Sequence, residues 1–574
     1  MASSTNQEAA SFLEHLALLM ELDGANPFRV RASAAAAAAL AALEEDVVEL
    51  LETNTLTSVR GIGRGLADLI AEFVRTGSAA QYEELRARVP TVLLELLQLP
   101  GVGPKRARLL HAELGVLSLD DLEQACLAGR LDQVRGFGER SRAQILEGIA
   151  RLRAYAGSFL VSQAWAAADR VLAALQADRS FRRVALAGDL RRGCELVQGV
   201  EIVASGPDPE AAARILRGLP DAQAQPASAP GTVGVRLLGG LPVRVHQVAE
   251  ESFAAPLHHW TGSPEHVAQV TAAARQRGLR LGPEGLFRGE EIVPCATEED
   301  LFRALGLAPI PPELREGQGE VPSAARRALP ELVTLADVRG LLHVHTTYSD
   351  GTASMEAMAL AARERGFSYL GVADHSRSAA YAGGLDGEQV RRQHEEIDAL
   401  NERLQGIHLF KGIESDVRAD GSLDYEDAVL ETFDFVVASV HSRFRMDRQT
   451  MTRRLVRAVE HPTTRVLGHL TGRLLLAREG YEVDVEAVLE AAARARVAVE
   501  VNAHPRRLDI DWRHLAQARR LGVVAAVNTD AHQIGELDNL RFGIQVARKG
   551  WLTAADVVNC LDTAGMAGFL ARRG

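Results

Sequence analysis

Apolar positions recur at helical spacing through the first 150 residues, in alanine- and leucine-rich stretches broken three times by a short glycine turn. The breaks are Val59-Arg60-Gly61-Ile62-Gly63, Leu99-Pro100-Gly101-Val102-Gly103-Pro104-Lys105 and Val134-Arg135-Gly136-Phe137-Gly138. The pattern then changes. The apolar runs Val184 to Ala187, Leu196 to Ala204 and Val233 to Val248 predict strands, and hence a small mixed sheet. Pro309-Ile310-Pro311-Pro312 cannot continue a helix, and the largely polar stretch that follows, to about Leu329, predicts a linker. From Gly340 onward short apolar strands alternate with helical periods, which predicts a β/α barrel or a related fold.

A chain of 574 residues is too long for one hydrophobic core, so several domains are expected. With 47% apolar and 24% charged residues, each can bury an ordinary interior. No cationic leader precedes a short apolar run, and no uncharged apolar stretch reaches about 18 residues. The expectation is a soluble cytoplasmic chain with no membrane partner. Cys126, Cys194, Cys295 and Cys560 lack the paired spacing of a disulfide frame or zinc finger and are expected to be reduced thiols. The formal net charge of -12 argues against coating nucleic acid by bulk electrostatics, but leaves local basic patches open.

The C-terminal region holds a constellation of potential metal ligands. His343-Val344-His345 ends a short apolar strand, where residues two apart share a face, and Asp530-Ala531-His532 repeats the arrangement after Val523 to Val527. Between them stand Asp350, His375 beside Asp374, Glu414, His441 and His469, nearly all at predicted strand ends. In a β/α barrel the C-terminal strand ends converge, so these nine residues are expected in one bowl. Mixed imidazole and carboxylate donors suit zinc or manganese. Nine ligands shared over two or three ions leave positions open for water and substrate, as in a catalytic site.

The segment 338–574 resembles the polymerase and histidinol phosphatase (PHP) domain, a trinuclear metal phosphoesterase. The resemblance rests on His343-Val344-His345-Thr346-Thr347-Tyr348-Ser349-Asp350-Gly351, on Gly468-His469-Leu470-Thr471-Gly472-Arg473, and on Thr529-Asp530-Ala531-His532. It implies metal ligation by His343, His345, Asp350, His375, Glu414, His441, His469, Asp530 and His532, with Glu414 as the bridging carboxylate. Arg507 matches the family as well and is expected to clamp a phosphate.

A Gly-x-Gly turn between helices can point backbone amides at a phosphate with no side chain in the way. Gly61 and Gly63, Gly101 and Gly103 with Lys105, and Gly136 and Gly138 are the candidate DNA contacts. Followed by Arg64, Lys105 and Arg140, the three turns resemble helix-hairpin-helix modules, which grip the DNA backbone without reading bases.

The whole chain resembles the bacterial family X DNA polymerases. The supporting motifs are Gly188-Asp189-Leu190-Arg191-Arg192-Gly193, Thr261-Gly262-Ser263-Pro264-Glu265-His266, and the run from Ile310 to Glu320. The resemblance implies a helical N-terminal domain with the first hairpin (1–85), helical fingers with two more (86–155), an α+β nucleotidyltransferase-like palm (156–248), a thumb (249–320), a linker (321–337) and a distorted β/α barrel of PHP type (338–574). Departures cluster in the palm. Asp189 replaces the serine beside the two triphosphate-binding arginines, Arg191 and Arg192. A carboxylate about 4 Å from a phosphate charge costs on the order of 4 kcal/mol at an effective dielectric of about 20. The three metal-binding aspartates fall on Gly199, Glu201 and Pro242, which puts a magnesium or manganese site there in doubt. The Schiff-base lysine of the related lyase domain falls on Leu69.

The expected function is a DNA-repair 3′-to-5′ exonuclease or 3′-end phosphoesterase, monomeric and nucleoid-associated, acting on gapped, nicked or 3′-ended DNA, with nucleotidyl transfer weak or lost. A manganese-dependent gap-filling polymerase using Glu201 and Glu195, and a non-catalytic DNA-binding scaffold, are the alternatives.

Overall fold

The alanine-rich periodicity near the N-terminus closes into helices with defined ends. Asn26 accepts from the Phe28 amide and Pro27 occupies the first turn of Pro27–Ala41, a placement that stops fraying where amides lack partners. The computed structural model describes residues 4–43, 45–208, 210–219, 222–225, 231–237 and 239–571. It falls into two compact units, one of Met1–Gly157 with Arg217–Gln223 and one of Ser158–Leu216 with Ala224–Gly574.

The first unit is helical around one apolar core that includes Leu13, Leu40, Ile70, Leu96 and Leu110, and Leu69 packs into that core. Each predicted glycine turn leads into a helix: α1 (Arg64–Thr76), α2 (Pro104–Leu114) and α3 (Glu139–Ala154).

In the second unit the predicted mixed sheet is built from β1 (Arg183–Ala187), β2 (Val200–Ser205), β3 (Thr232–Arg236) and β4 (Pro242–Val248). Strand β2 pairs antiparallel with β1 and parallel with β4, and β3 pairs antiparallel with β4. The run Val233 to Val248 therefore forms two antiparallel strands rather than one; residue 238 lies outside the described residues. The linker expected over 321–337 is corrected in part. Glu320–Ala325 is a helix whose Val321 and Ala324 bury against Phe302, Leu305 and Leu314. The polar sequence misleads because Glu320 is itself fully buried, accepting from His266 Nδ1 at 2.7 Å and the Gly317 amide at 2.8 Å.

From Gly340 the alternation resolves into seven parallel strands in sequence order: β5 (Gly340–Val344), β6 (Tyr369–Val372), β7 (His408–Asp416), β8 (Phe435–Ser439), β9 (Thr464–Leu467), β10 (Ala498–Asn502) and β11 (Ala525–Asn528). Their near-continuous apolar character reflects burial on both faces. The last strand returns to the first through a parallel bridge between Val344 and Ala531 and bonds from His345 N to Ala531 O (2.9 Å) and from Asp530 N to His343 O (3.1 Å). The C-terminal strand ends thereby form one rim.

Candidate metal centre

Glu414 stands at the middle of this rim. Its Oε1 lies 3.4 Å from His343 Nε2, 3.2 Å from His441 Nε2 and 3.0 Å from His469 Nε2; its Oε2 lies 3.7 Å from His345 Nε2 and 2.9 Å from His375 Nδ1. Three sets of donor atoms close enough to share an ion surround it: His345, Asp350, His375 and His532; His343, His345 and Asp530; and His375, Glu414 and His441. With His469 at Glu414, all nine expected residues are brought together. Asp374 stays outside, accepting from the Thr346 amide, the Thr346 and Ser349 hydroxyls and Gln393.

The donor set fits divalent cations on its own chemistry. His345 Nδ1 and His469 Nδ1 are buried without a hydrogen-bond partner, and His343 Nε2, His375 Nδ1 and Glu414 Oε2 crowd one another without a well-aligned one, a costly state that a cation would relieve. Protonation follows the same logic. Burial raises the Glu414 carboxyl, but the imidazoles of His441, His343 and His375 outweigh it and hold the group well below its ordinary range. Burial lowers His441 and His532, but neighbouring carboxylates lift both to about 9. His345 is driven down to about 4, mainly by burial. Without ions, protons supply the positive charge that this arrangement requires.

A second layer fixes the imidazoles, and the sequence reading missed it. Glu500, fully buried, takes His343 Nδ1 at 2.7 Å, the His469 amide at 2.9 Å and the side-chain amides of Asn502 and Asn528 at 3.2 Å. His343 Nε2 is thereby aimed inward. Asp416 does the same for His441, at 2.6 Å from Nδ1. Two signals were present: a carboxylate inside the apolar run Val497 to Val501, and Asp416 two residues beyond Glu414 on the same strand face. Arg507 approaches Asp530 Oδ2 through Nε at 3.4 Å and places its guanidinium at the cluster.

The palm is different. Because Val200 pairs with Val243 and Glu201 with Arg244, positions 199, 201 and 242 converge at one end of β2 and β4. A Cβ on Gly199 would lie 2.8 Å from the Pro242 carbonyl oxygen. Glu201 accepts from Arg244 Nε at 2.7 Å and meets His246 Nε2 at 2.8 Å, while His246 stacks on Trp260 with 3.9 Å between ring centroids. Both oxygens of the one carboxylate at this place are engaged, so the residues do not fit a divalent ion. Arg192 is held by Asp189 (2.6 Å), Glu316 (2.9 Å) and the Thr261 carbonyl (2.7 Å), and Arg191 by Glu298 (2.6 Å). Glu195 lies 3.3 Å from Arg473.

The three glycine turns share one geometry. Ile62, Val102 and Phe137 donate their amides to Val59, Leu99 and Val134 at 3.0 to 3.1 Å, and Gly61, Gly101 and Gly136 sit at φ +98°, +72° and +89°. The second glycines differ: Gly63 and Gly103 have φ of -83° and -88°, which any residue adopts. Yet no protein atom lies within 4 Å of a Cβ built on Gly63, Gly103 or Gly138. Neither backbone strain nor packing within the chain requires glycine there. Arg64, Lys105 and Arg140 are exposed beside them, and among the described residues no helix is long and apolar enough to cross a membrane.

A nearly closed parallel sheet with a histidine and carboxylate bowl at its C-terminal rim is a PHP-type body, and the PHP domain family matches residues 342–504. Two helix-hairpin-helix families match 4–79 and 93–151, and the DNA polymerase beta thumb matches 256–316. The chain is 36% identical to the DNA polymerase/3′-5′ exonuclease PolX of Bacillus subtilis over 98% of each chain. It is therefore a member of the PolX family of bacterial family X DNA polymerases. Its PHP region is also 27% identical to the probable phosphatase YcdX of Escherichia coli, over 33% of this chain and 77% of that one, and 25% identical to a probable phosphatase of Thermoanaerobacter sp., over 28% and 68%.

Proposed function

We propose that this chain is a metal-dependent 3′-to-5′ exonuclease or 3′-end phosphoesterase acting on gapped, nicked or 3′-ended DNA, with nucleotidyl transfer at the palm weak or lost. One contrast carries the reading: the PHP bowl gathers nine donors around buried imidazole nitrogens, whereas of palm positions 199, 201 and 242 only 201 carries a carboxylate, already engaged by Arg244 and His246. Two or three zinc or manganese ions held in the bowl would supply Lewis acidity at the phosphoryl group and charge compensation at the leaving oxygen. Glu414 would be shared among the bound ions, Glu500 and Asp416 aim His343 and His441, and Arg507 would clamp a non-bridging phosphate oxygen. The hairpin amides at Gly61, Gly63, Gly101, Gly103, Gly136 and Gly138, with Lys105, grip the DNA backbone without regard to sequence.

The test is a gapped duplex labelled at the 5′ end of the primer strand, with manganese, followed with and without dNTPs. Stepwise 3′ shortening, abolished in the His343→Ala, His345→Ala double variant, is expected; shortening unchanged in that variant would overturn the proposal. Kinship with a named polymerase favours the gap-filling reading. On that reading dNTP incorporation appears and Glu201→Gln abolishes it; the engagement of Glu201 and Glu195 by arginines predicts little or none. Absence of bound metal on elemental analysis would instead support a non-catalytic scaffold.

A further inference from the structure

The bowl opens beneath a loop that none of the foregoing chemistry uses. Residues 376–385 leave the end of β6 and return to it. Ser376 and Leu385 form a parallel bridge, and the Leu385 amide donates to the His375 carbonyl at 2.9 Å. Ala379 and Ala382 are buried as anchors, and the Gly384 amide reaches the Ala379 carbonyl at 3.1 Å. The closure admits no side chain at Gly384, where a Cβ would lie 1.9 Å from the Ser376 carbonyl oxygen. Tyr425 ties the loop from the far side by donating its hydroxyl to the Leu385 carbonyl at 2.5 Å. The loop is thus tied at both ends, and it presents one large aromatic side chain to solvent.

That side chain is Tyr381. It is 74% exposed, among the most exposed of the large apolar side chains, yet its ring centroid lies only 6.3 Å from that of His375, tilted by 55°. The ring therefore stands beside His375, one of the residues that could hold an ion, at the edge of the cluster. An aromatic ring left in water on such a loop serves no packing purpose. Every nucleobase offers a face to such a ring, and stacking of this kind is tolerant of sequence. Hydrolysis of a small phosphomonoester needs no such surface.

We propose that Tyr381 is a specificity-determining residue that stacks on the base of the terminal nucleotide and selects unpaired, base-bearing 3′ ends over small phosphate esters. The inference rests on the nuclease reading above and names its substrate class. A base freed from its pairing partner can turn its face to the ring without breaking a base pair, so the preferred end is single-stranded.

The experiment compares wild type, Tyr381→Ala and Tyr381→Phe, all loaded with manganese. Three substrates are used: an oligodeoxynucleotide with an unpaired 3′ nucleotide, the same strand ending in a 3′ tetrahydrofuran abasic residue, and glycerol phosphate. On the base-bearing end Tyr381→Ala is expected to raise KM by about tenfold while kcat stays within about twofold, with Tyr381→Phe close to wild type. On the abasic end and on glycerol phosphate the three proteins should coincide. An unchanged KM for Tyr381→Ala on the base-bearing end, or an equal loss on the abasic end, overturns the stacking role while leaving the nuclease reading in place. Wild-type hydrolysis of glycerol phosphate with no cleavage of either DNA end overturns both.

Discussion

At the residue scale, charge placement decides most of what this chain can do. Glu500 touches no expected substrate position, yet it sets which nitrogen His343 offers. Glu500→Gln keeps the shape and removes the charge. Metal affinity and nuclease rate should fall by about 10- to 100-fold with the fold intact, as seen by titration with manganese and by circular dichroism. Glu298 gives a pH test far from the bowl. It is buried against Arg315 and Arg191, and although burial raises its carboxyl, the two guanidiniums outweigh this and hold it at about 2. A carboxyl depressed in the folded state stabilises above its unfolded value of 4.5 and loses that contribution as pH falls through the folded value. Between pH 4.5 and about 2 the wild type should lose roughly 3 kcal/mol that Glu298→Gln does not lose, measured by denaturant unfolding of the two proteins side by side. The nine donors were legible in the sequence because strand-end histidines and carboxylates are rare in that pattern. The structural role of Arg191 and Arg192 was not legible, since their partners Thr261, Glu298 and Glu316, 70 to 124 positions away, cannot be read from spacing.

At the element scale, the same hairpin appears three times, and its two glycines separate stability from binding. Gly61 at φ +98° needs left-handed backbone, so Gly61→Ala should cost about 1 kcal/mol of stability in a thermal melt. Gly63→Ala, Gly103→Ala and Gly138→Ala together should leave the melt within about 0.5 kcal/mol while weakening binding to a fluorescent duplex by about tenfold, because an added methyl intrudes only on an incoming phosphate. Equal losses in melt and binding would show those positions to be structural. The strands of the barrel were legible from their apolar runs, as were β1 and β2. The helix Glu320–Ala325 was not, because its burial depends on His266, 54 positions away, accommodating the Glu320 carboxylate.

At the scale of the second unit, the palm, thumb region and PHP body share buried charges. Lys549, 2% exposed, contacts Glu316 and lies 5.0 Å from the Trp512 ring, and Arg548 bonds Glu313 at 2.7 Å. Glu316 also holds Arg192. Lys549→Met should therefore destabilise this unit by about 2 kcal/mol in chemical denaturation, since it strips a half-buried carboxylate of one of two cations. Positions 199 and 242 carry a consequence of another kind, for descent. Aspartate at 199 would drive its Cβ against the Pro242 carbonyl oxygen, a backbone atom with no rotamer to retreat into. Aspartate at 242 alone would join a Glu201 still bound by Arg244 and His246. On the proposed reading, then, no single substitution brings the palm nearer to synthesis. The change behaves as an evolutionary ratchet, leaving selection free to refine only the half of the chain that removes nucleotides.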